Sequence, residues 1–397
     1  MDLSAQALRV CLKNPHSALK APLPPSLSPS VRRRLIRGLS LTQGWTDALL
    51  PPSFFQGCGL RVLSFASCSK VSAGFVLQVL AHCGSELLGL DLTSMFALDD
   101  AALGGVLRAC PHLRYLCVVD CRKLTDASLA AMVDSGASLR HIDIGGCACL
   151  SGAGVKRLVE RHPGIRQFVG LGLSGVEGAD GELAAALAAK CTRLQRLALG
   201  YYMGYTAPLV EVLRVNADSL VALELHWTRA ATDDLALVLT GSLGNMFKEL
   251  RLLNLQGAKA MSLDGLCAIV NTHPRRQGAA LPEWDASDTL EWRTFAGLPK
   301  KTLQEVLALS ACVSSAPAGE GSSSSGSGAS SSSSSSSAAM EEDGEEDATP
   351  SLLRKLGPGL AHLCCKFGTA DGAPLAPLRD HCQKLVQAGT QGPILID

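Results

Sequence analysis

The chain has 397 residues, with 36 basic and 36 acidic side chains and a formal net charge of zero. This balance gives no electrostatic reason to expect nucleic acid as the main partner. No run of about 18 apolar residues occurs, so we expect no transmembrane helix and no membrane partner. The first residues also lack the apolar run of a signal peptide. Fifteen cysteines in such a chain indicate reduced thiols in a cytoplasmic or nuclear protein.

Residues 1–59 precede the regular part of the sequence. Five prolines between Pro15 and Pro29 predict an extended leader, with one short helix at Ala5–Leu12. From Val31 the basic segment VRRRLIRG is helical in pattern and leads into a weak strand spacing. The segment therefore predicts an N-terminal cap or a degenerate repeat.

A repeated unit occupies residues 60–275. The eight repeats, numbered 1 to 8, start at Leu60, Leu87, Leu113, Leu139, Ile165, Leu194, Leu220 and Leu250, so the steps run from 26 to 30 residues. With each start taken as position 0, positions +3 and +5 are apolar, except for Gly170 in repeat 5. This alternation predicts a strand with one buried face.

The second half of each repeat predicts a capped helix. Position +12 is Ser, Thr or Asp in every repeat but the fifth, and positions +16 and +19 are apolar in the same seven. Such residues accept hydrogen bonds from the free N–H groups of a first helical turn, and the apolar spacing is that of an amphipathic helix. Because no unit can bury its apolar faces alone, we predict an α/β solenoid, a horseshoe with parallel strands on the concave face and helices on the convex face.

The pattern fades after residue 275. Residues 276–312 predict a degenerate C-terminal repeat, with a strand near Leu290 and a helix at Lys301–Cys312. Residues 313–350 are serine-rich and then acidic, which predicts a disordered linker. Residues 351–397 predict a helical cap or tail, with helices at Leu352–Cys365 and Leu378–Ala388.

No catalytic or cofactor motif stands out, so we expect neither an enzyme nor a bound cofactor. Motifs of serine hydrolases, P-loops, zinc proteases and dinucleotide-binding folds do not occur, and the sequence GLGLSG from Gly170 lacks the lysine of a phosphate loop. Cysteines recur at position +8 and at the helix ends, which indicates buried core thiols. The best zinc candidates lie in the tail, where a capping helix that bears cysteine is the simpler interpretation: His362, Cys364, Cys365, His381 and Cys382.

The concave surface is the candidate binding site. Positions +2, +4 and +6 of a strand point away from the buried face, and position +7 lies at the rim. The predicted partner-binding residues are Asp91, Tyr115, Asp120, His141, Asp143, Gln167, Arg196, Tyr201, Glu224, His226, Trp227, Asn254 and Gln256. Cys117 in the third strand also lines this surface. Aromatic side chains beside Arg and His are typical of interface anchors. For Tyr202 and Tyr205 the sequence supports two placements, one on this surface and one in the core.

The repeat unit resembles a known class. The order L-x-x-L-x-L-x-x-C, then L-T-D, then a helix is clearest in LRYLCVVDCRKLTDASLAAMV and LRHIDIGGCACLSGAGVKRLV. It resembles the cysteine-containing leucine-rich repeats of F-box/LRR proteins. The resemblance implies substrate recognition for Skp–cullin–F-box (SCF) ubiquitin ligases, with the target on the concave face and no catalytic residue.

Two functions are therefore expected from the sequence. The first is a substrate receptor of an SCF-type ligase in ubiquitin-dependent degradation, with a protein substrate and a Skp-family adaptor as partners. Leu23-Pro24 and Trp45 echo the two ends of an F-box, but the segment between them is short and broken by proline. The second is a leucine-rich-repeat scaffold or inhibitor with no ubiquitin link.

Overall fold

The computed structural model describes most of the chain up to Thr272 and three short parts of the tail. The described residues are 27–42, 45–170, 179–200, 206–240, 247, 250, 252–255, 260–272, 362–364, 376–387 and 395–396. Four predicted features lie outside them: the helix at Ala5–Leu12, the strand near Leu290, the helix at Lys301–Cys312 and the linker 313–350.

The described strands form one parallel sheet in the order of the sequence. They are β1 Val62–Ser64, β2 Gly89–Asp91, β3 Tyr115–Cys117, β4 His141–Asp143, β5 Gln167–Gly170, β6 Arg196–Gly200, β7 Ala222–His226, β8 Leu252–Asn254, β9 His362–Cys364 and β10 Leu395–Ile396. Each strand pairs with the strand of the next repeat, so the chain advances by one rung per repeat.

The described helices alternate with the strands. They are α1 Pro29–Thr42, α2 Ala73–Cys83, α3 Asp100–Ala109, α4 Asp126–Asp134, α5 Gly152–Arg161, α6 Ala179–Lys190, α7 Thr206–Val215, α8 Asp233–Thr240, α9 Leu263–Thr272 and α10 Ala376–Gln387. From α2 onwards, consecutive helices pack side by side along the array, as consecutive strands do. This open parallel sheet with alternating helices confirms the predicted solenoid.

The apolar strand positions meet in register and form the core. Position +3 contributes a continuous row of paired residues, Leu63, Leu90, Leu116, Ile142, Phe168, Leu197, Leu223 and Leu253. Every member of this row is at most 2% exposed. Stacking of the same position from repeat to repeat is what gives a solenoid one continuous core.

Side chains at position +12 begin the helices, as predicted. Ser72, Asp99, Thr125 and Ser151 each accept a hydrogen bond from a backbone N–H in the first turn. Thr206 departs from this pattern, because α7 begins at that residue. Its hydroxyl lies 3.5 Å from the carbonyl of Ala230 instead.

A ladder of carboxylates joins the start of one helix to the start of the next. Asp100 accepts hydrogen bonds from the N–H and the hydroxyl of Thr125 at 2.8 and 2.7 Å. Asp126 accepts the N–H of Ser151 at 2.8 Å, and its other oxygen accepts the Ser151 hydroxyl. Each capping residue is thus held by the preceding repeat, which fixes the spacing of neighbouring helices.

The N-terminal segment continues this ladder before repeat 1. Asp47 accepts the N–H of Ser72 at 2.9 Å, and the two residues are 25 apart, as are Asp126 and Ser151. The residue before Asp47 is a threonine, as is the residue before Asp126. Residues 46–47 therefore act as the first rung of the carboxylate ladder.

Helix α1 and Trp45 close the N-terminal end of the core. Leu35, Ile36 and Leu39 on α1 are at most 1% exposed. The ring of Trp45 packs between Phe55 and Phe65, with centroid distances of 5.6 and 5.5 Å. A large aromatic surface at this end covers the apolar face that repeat 1 would otherwise expose to water.

The tail extends the sheet, which corrects the prediction for residues 352–365. His362–Cys364 is strand β9 and pairs with β8, so the C-terminal part of the predicted helix is wrong. Leu360, Leu363 and Cys365 have the 0, +3, +5 spacing of the other repeats. Over so few residues that spacing also fits a helix. The helix predicted at Leu378–Ala388 is confirmed by α10, which buries Leu378 and Cys382 in the common core.

Candidate recognition surface

Two rows of side chains run across the concave face of the sheet. The +2 row pairs Val62, Gly89, Tyr115, His141, Gln167, Arg196, Ala222 and Leu252, and the +4 row pairs Ser64, Asp91, Cys117, Asp143, Val169, Ala198, Glu224 and Asn254. Adjacent members stand about 4.8 Å apart, the spacing of hydrogen-bonded strands. The polar members of both rows belong mainly to repeats 2 to 7.

The two rows differ in accessibility. Tyr115, His141 and Gln167 in the +2 row are 6 to 7% exposed, and Arg196 is 2% exposed. Asp91, Cys117 and Asp143 in the +4 row are half-buried. A partner approaching the face in this conformation therefore meets the +4 row of repeats 2 to 4 first.

Local hydrogen bonds hold Asp91 at the start of the +4 row. Its Oδ2 accepts the Ser64 hydroxyl at 2.9 Å. Its Oδ1 accepts the Thr93 N–H at 3.0 Å and the Thr93 hydroxyl at 2.7 Å. That hydroxyl also lies 3.1 Å from the Sγ of Cys117. Thr93, in the turn that follows β2, and Ser64, on the preceding strand β1, thus fix the orientation of the Asp91 carboxylate.

Asp143 occupies the next carboxylate position of the same row. Its Oδ1 accepts the N–H of Gly145 at 3.1 Å. Burial raises the pKa of Asp143 to about 6, although the positive charge of Arg196 and the Gly145 hydrogen bond act in the opposite direction. The carboxyl groups of Asp91 and Glu224 add to the increase. Additional negative charge at the centre of the concave face is therefore unfavourable.

Two closely spaced, tilted rings lie in the +2 row, next to the carboxyl groups of the +4 row. The Tyr115 and His141 rings have centroids 4.1 Å apart and are tilted by 55°. Burial lowers the pKa of His141 to about 3, and the nearby charges of Arg166 and Arg140 also lower it, against a hydrogen bond with Gln167. His141 is therefore neutral at physiological pH and does not act there as a cation or as a general acid.

A buried ion pair follows in repeats 6 and 7. The Nε of Arg196 donates to Oε1 of Glu224 at 2.8 Å, and an Nη atom of Arg196 lies 2.6 Å from the same oxygen. Their side chains are 3 and 4% exposed. Breaking one member of such a pair leaves an uncompensated buried charge, so the pair fixes both rows at this point.

Position +7 forms the rim of the concave face in an unusual backbone conformation. Ser67, Ser94, Asp120 and Trp227 all have φ between 52 and 59°, and Gly146 has φ of 72°. The chain therefore turns away from the sheet through a left-handed residue in each of these repeats. Gly146 also avoids a collision, because a Cβ there would meet the Asp120 carboxylate.

The rim contains two predicted site residues with accessible side chains. Asp120 is half-buried, and Trp227 is 36% exposed, which makes it one of the exposed large apolar side chains among the described residues. Tyr201 and Gln256 lie outside the described residues, as do Tyr202 and Tyr205. His226 ends strand β7, and Asn254 ends β8 at 6% exposure. Among the predicted residues whose exposure the structure describes, Asp91, Asp120, Asp143 and Trp227 offer the most accessible surface.

Some residues of this surface carry no distinct sequence signal. Ser64 and Thr93 orient Asp91. Serine and threonine are common near strand ends, so their presence there does not indicate this role in the sequence. Phe96, which is 51% exposed, lies under the guanidinium of Arg122 at 5.9 Å from the ring centroid. Phe96 is at position +9 of repeat 2, just past the rim. The alternation of apolar and polar residues applies only within the strand, so it does not assign a face to this position.

The cysteines at position +8 and at the helix ends are buried in the core, as their spacing predicts. Those at +8, Cys68, Cys121 and Cys147, are at most 2% exposed, and the last two donate to the carbonyls of Leu92 and Val118 in the preceding repeat at 3.2 and 3.1 Å. Burial raises the pKa of Cys121 to about 12 and that of Cys147 to about 11. These thiols stay protonated at neutral pH, which suits packing and not nucleophilic chemistry.

The described part of the tail does not gather zinc ligands. His381 Nε2 lies 2.8 Å from Oδ1 of Asn271 on α9, and Cys382 is buried in the core. Among the residues that the structure describes, no three His, Cys, Asp or Glu side chains lie close enough together to hold a metal ion. Within the same residues, no helix combines the length and the apolar character needed to cross a bilayer.

Comparison with known proteins adds little beyond the architecture. The sequence matches no model of a known protein family, and no curated protein matches it significantly. A structure described as a complex of Rad7 and Elc1 in yeast is 16% identical, with a TM-score of 0.41. The match covers 68% of this chain but only 59% of the length of that neighbour.

A second neighbour is the leucine-rich-repeat-containing protein LegL7 from Legionella pneumophila. It is 16% identical, with a TM-score of 0.35, over 63% of this chain and 77% of that chain. Because both TM-scores lie below 0.5, neither likeness transfers a function. The repeat pattern, the strand register and the alternation of strand with helix nevertheless identify the fold of this chain as a leucine-rich-repeat solenoid.

Proposed function

We propose that this chain is a protein-recognition subunit that binds a partner protein on the concave face of its sheet and performs no catalytic step. One feature supports this role above the others: the polar side chains of the face are held in place before any partner arrives. Asp91 is held by Ser64 and Thr93, and Arg196 by Glu224. Ordered polar groups lose little conformational entropy on binding, which favours affinity and selectivity.

The more specific role that we propose is that of a substrate receptor in an SCF-type ubiquitin ligase. The resemblance of the repeat unit to the cysteine-containing class of F-box/LRR proteins supports it. In this role the concave face holds the substrate, while a Skp-family adaptor binds a separate segment of the chain. The transfer of ubiquitin belongs to other subunits.

A scaffold or inhibitor with no ubiquitin link is the second candidate, and one observation favours it. A segment that binds an adaptor needs surface of its own for that contact, whereas Ile36 and Leu39 of α1 and Trp45 are buried in the core of the solenoid. Arg32 on α1 adds two hydrogen bonds of 2.9 Å to the carbonyls of Phe54 and Gln56. Helix α1 and the segment 45–56 thus cap the solenoid.

The recognition role is tested by removing charge from the face without changing its shape. The double substitution Asp91→Asn and Asp143→Asn removes both charges at nearly unchanged shape and keeps one acceptor oxygen in each side chain. Glu160→Gln and Asp264→Asn on exposed helix positions form the matched control with the same charge loss. Proteins captured by the wild-type chain and the control, but lost with the concave variant, support the role. Identical capture by all three chains would contradict it.

The ligase role is tested by direct binding to a purified Skp-family adaptor. Deletion of residues 1–59 would remove the N-terminal cap and is therefore unsuitable. Deletion of residues 1–26 removes Leu23-Pro24 and leaves α1 and Trp45 intact. Adaptor binding that disappears with this deletion supports a ligase receptor. An adaptor that binds neither chain shifts the assignment to the scaffold or inhibitor.

A further inference from the structure

An exposed aromatic ring and three exposed cations lie just past the rim of repeats 1 to 3. Phe96 is 51% exposed, and the guanidinium of Arg122 stands over its ring at 5.9 Å from the centroid. Both residues are at position +9, Phe96 in repeat 2 and Arg122 in repeat 3. Position +10 adds Lys70 in repeat 1 and Lys123 in repeat 3, and both are exposed. We call these four residues the outer rim patch.

Buried neighbours hold the loops that carry the patch. Met95 and Leu98, on either side of Phe96, are at most 2% exposed, and the Leu98 N–H donates to the Met95 carbonyl at 2.9 Å. Cys121, directly before Arg122, is fully buried, and its thiol donates to a carbonyl of the preceding repeat at 3.2 Å. The backbone of the patch is therefore fixed before any ligand arrives, which lowers the entropic cost of binding.

The cations of the patch have no carboxylate partner. Within the described part of the chain, Lys70, Arg122 and Lys123 take part in none of the ion pairs. Arg32 provides a contrast, because it also stands over a ring, that of Phe54 at 5.8 Å, but donates two hydrogen bonds of 2.9 Å to backbone carbonyls. The N–H groups of Arg122 form no such bond to a described residue, so they remain available to a ligand.

The acidic groups of the same edge are directed elsewhere. Asp99 accepts a backbone N–H in the first turn of α3 at 2.8 Å, and Asp100 and Asp126 hold the carboxylate ladder. The Asp120 carboxylate lies over Gly146 of repeat 4, whereas Arg122 reaches back to the ring in repeat 2. The outward charge of the patch is therefore positive and complements an anion.

We propose that the outer rim patch binds an acidic segment of a partner protein, with an apolar side chain of that segment on the ring of Phe96. The planar fork of Arg122 is suited to a carboxylate, and aromatic and arginine side chains are the usual anchors of protein interfaces. Lys70 and Lys123 are two rungs apart, or about 10 Å at the usual strand spacing. About three to four residues of extended chain span this distance.

This site goes beyond the recognition role of the concave face, since none of its residues belongs to the two concave rows. A ring beside cations also occurs in sites for single-stranded nucleic acid, but those sites line up several rings along a charged groove. The patch has one ring and three cations in a chain of zero net charge. These features favour a short acidic protein segment over a nucleic acid.

The charged part of the patch is tested with a labelled peptide of about ten glutamates around one central phenylalanine. Fluorescence anisotropy should show that Arg122→Gln with Lys123→Gln weakens binding to the full chain at least about tenfold. The matched control replaces two exposed helical arginines, Arg108 and Arg157, with Gln and should bind as wild type does. Equal affinities of the two double variants would overturn the proposal, as would a wild-type chain that does not bind the peptide.

The ring is tested with two peptides, because Phe96→Ala also removes the surface on which Arg122 rests. The substitution should weaken binding of the phenylalanine peptide at least about fivefold and should change binding of a glycine-substituted peptide much less. Leu237→Ala, which truncates an exposed apolar side chain on α8, is the control and should affect neither. Equal losses for the two peptides would contradict contact between the ring and the ligand.

Two further titrations separate this site from the alternatives. The concave variant Asp91→Asn with Asp143→Asn should bind the phenylalanine peptide at least as tightly as wild type, because it removes no group of the patch. Loss of peptide binding in that variant would contradict a separate site. An oligonucleotide of uridines should not displace the peptide at equal concentration, and displacement would overturn the choice of an acidic protein segment.

Discussion

At the scale of single residues, the concave face depends on carboxyl groups whose environment differs from water. Burial raises the pKa of Asp143 to about 6, whereas an aspartate in an unfolded chain titrates near 3.9. The folded protein therefore binds more protons than the unfolded chain between about pH 4 and pH 6. The contribution of Asp143 to the free energy of unfolding therefore falls through this window as pH rises, and the ionised Asp143 carries that cost at neutral pH.

Asp143→Asn should remove this cost. We expect the free energy of unfolding at pH 7 to rise by about 1–3 kcal/mol, since one pKa unit corresponds to about 1.4 kcal/mol. The slope of stability between pH 4 and pH 6 should become more positive at the same time, because the falling contribution of Asp143 is lost. Thermal melting of wild type and variant across pH 4–8 checks both results. Parallel profiles for the two chains would show that Asp143 does not titrate as described.

His141 contributes with the opposite sign. Burial lowers its pKa to about 3, so the unfolded chain binds a proton that the folded chain does not. Its contribution to stability is complete above about pH 6.5 and is lost as pH falls. The two residues therefore act against each other below pH 6.5, and only the variant at position 143 separates their effects.

The sequence predicts which way these side chains point but not how far they are covered. Alternation along a strand assigned Tyr115, His141 and Arg196 to the concave face, and the register places them there. Their burial depends on neighbouring rungs, because each side chain packs against the same position of the adjacent repeats. A pattern within one repeat contains no information on that contact.

At the scale of elements, the carboxylate ladder couples neighbouring repeats. Asp126→Ala removes the acceptor of the Ser151 N–H and hydroxyl. A hydrogen bond to a charged group contributes about 1.5–3 kcal/mol, so we expect a loss of about 2 kcal/mol in the free energy of unfolding. Chemical denaturation measures the change.

The control for this substitution is Asp264→Ala. Asp264 also lies in the first turn of its helix, where its charge favours the helix dipole. Its replacement should cost about 0.5 kcal/mol. Equal losses at positions 126 and 264 would mean that the helix dipole, and not the ladder, accounts for the effect of Asp126.

The helices and their caps were predictable because each depends on residues within one repeat. The ladder was not, since Asp47 and Ser72 are 25 residues apart and nothing local joins them. The strand at His362–Cys364 was missed for a related reason. Its identity is decided by pairing with β8, across an insertion that interrupts the period.

At the scale of the whole molecule, the sheet continues across that insertion. Strand β8 pairs directly with β9, so the sheet passes from Leu252–Asn254 to His362–Cys364 without a break. Removal of residues 362–397 exposes the edge of β8 and the core surface that α10 covers. An open sheet edge favours aggregation, and an uncapped solenoid loses solubility.

Two deletions of similar size should therefore differ in effect. Deletion of residues 314–347 should change the melting temperature by only a few degrees, because the sheet order is preserved. Truncation after residue 361 should lower it by about 10 °C or more, or yield aggregated protein, since each kcal/mol shifts Tm by about 2–4 °C in a chain of this size. Scanning calorimetry with light scattering compares the two. Equal melting temperatures would mean that β9, α10 and β10 do not stabilise the array.

Recognition of a protein by the concave face is tested most directly by site-specific photo-crosslinking. A benzophenone amino acid is placed at Cys117, at the half-buried centre of the +4 row, and in a second chain at Glu160 on the exposed side of α5. Irradiation in cells should give discrete adducts of higher mass from position 117 and none of the same identity from position 160. The same adducts from both positions, or none from 117 while 160 reacts, would contradict a partner on the concave face.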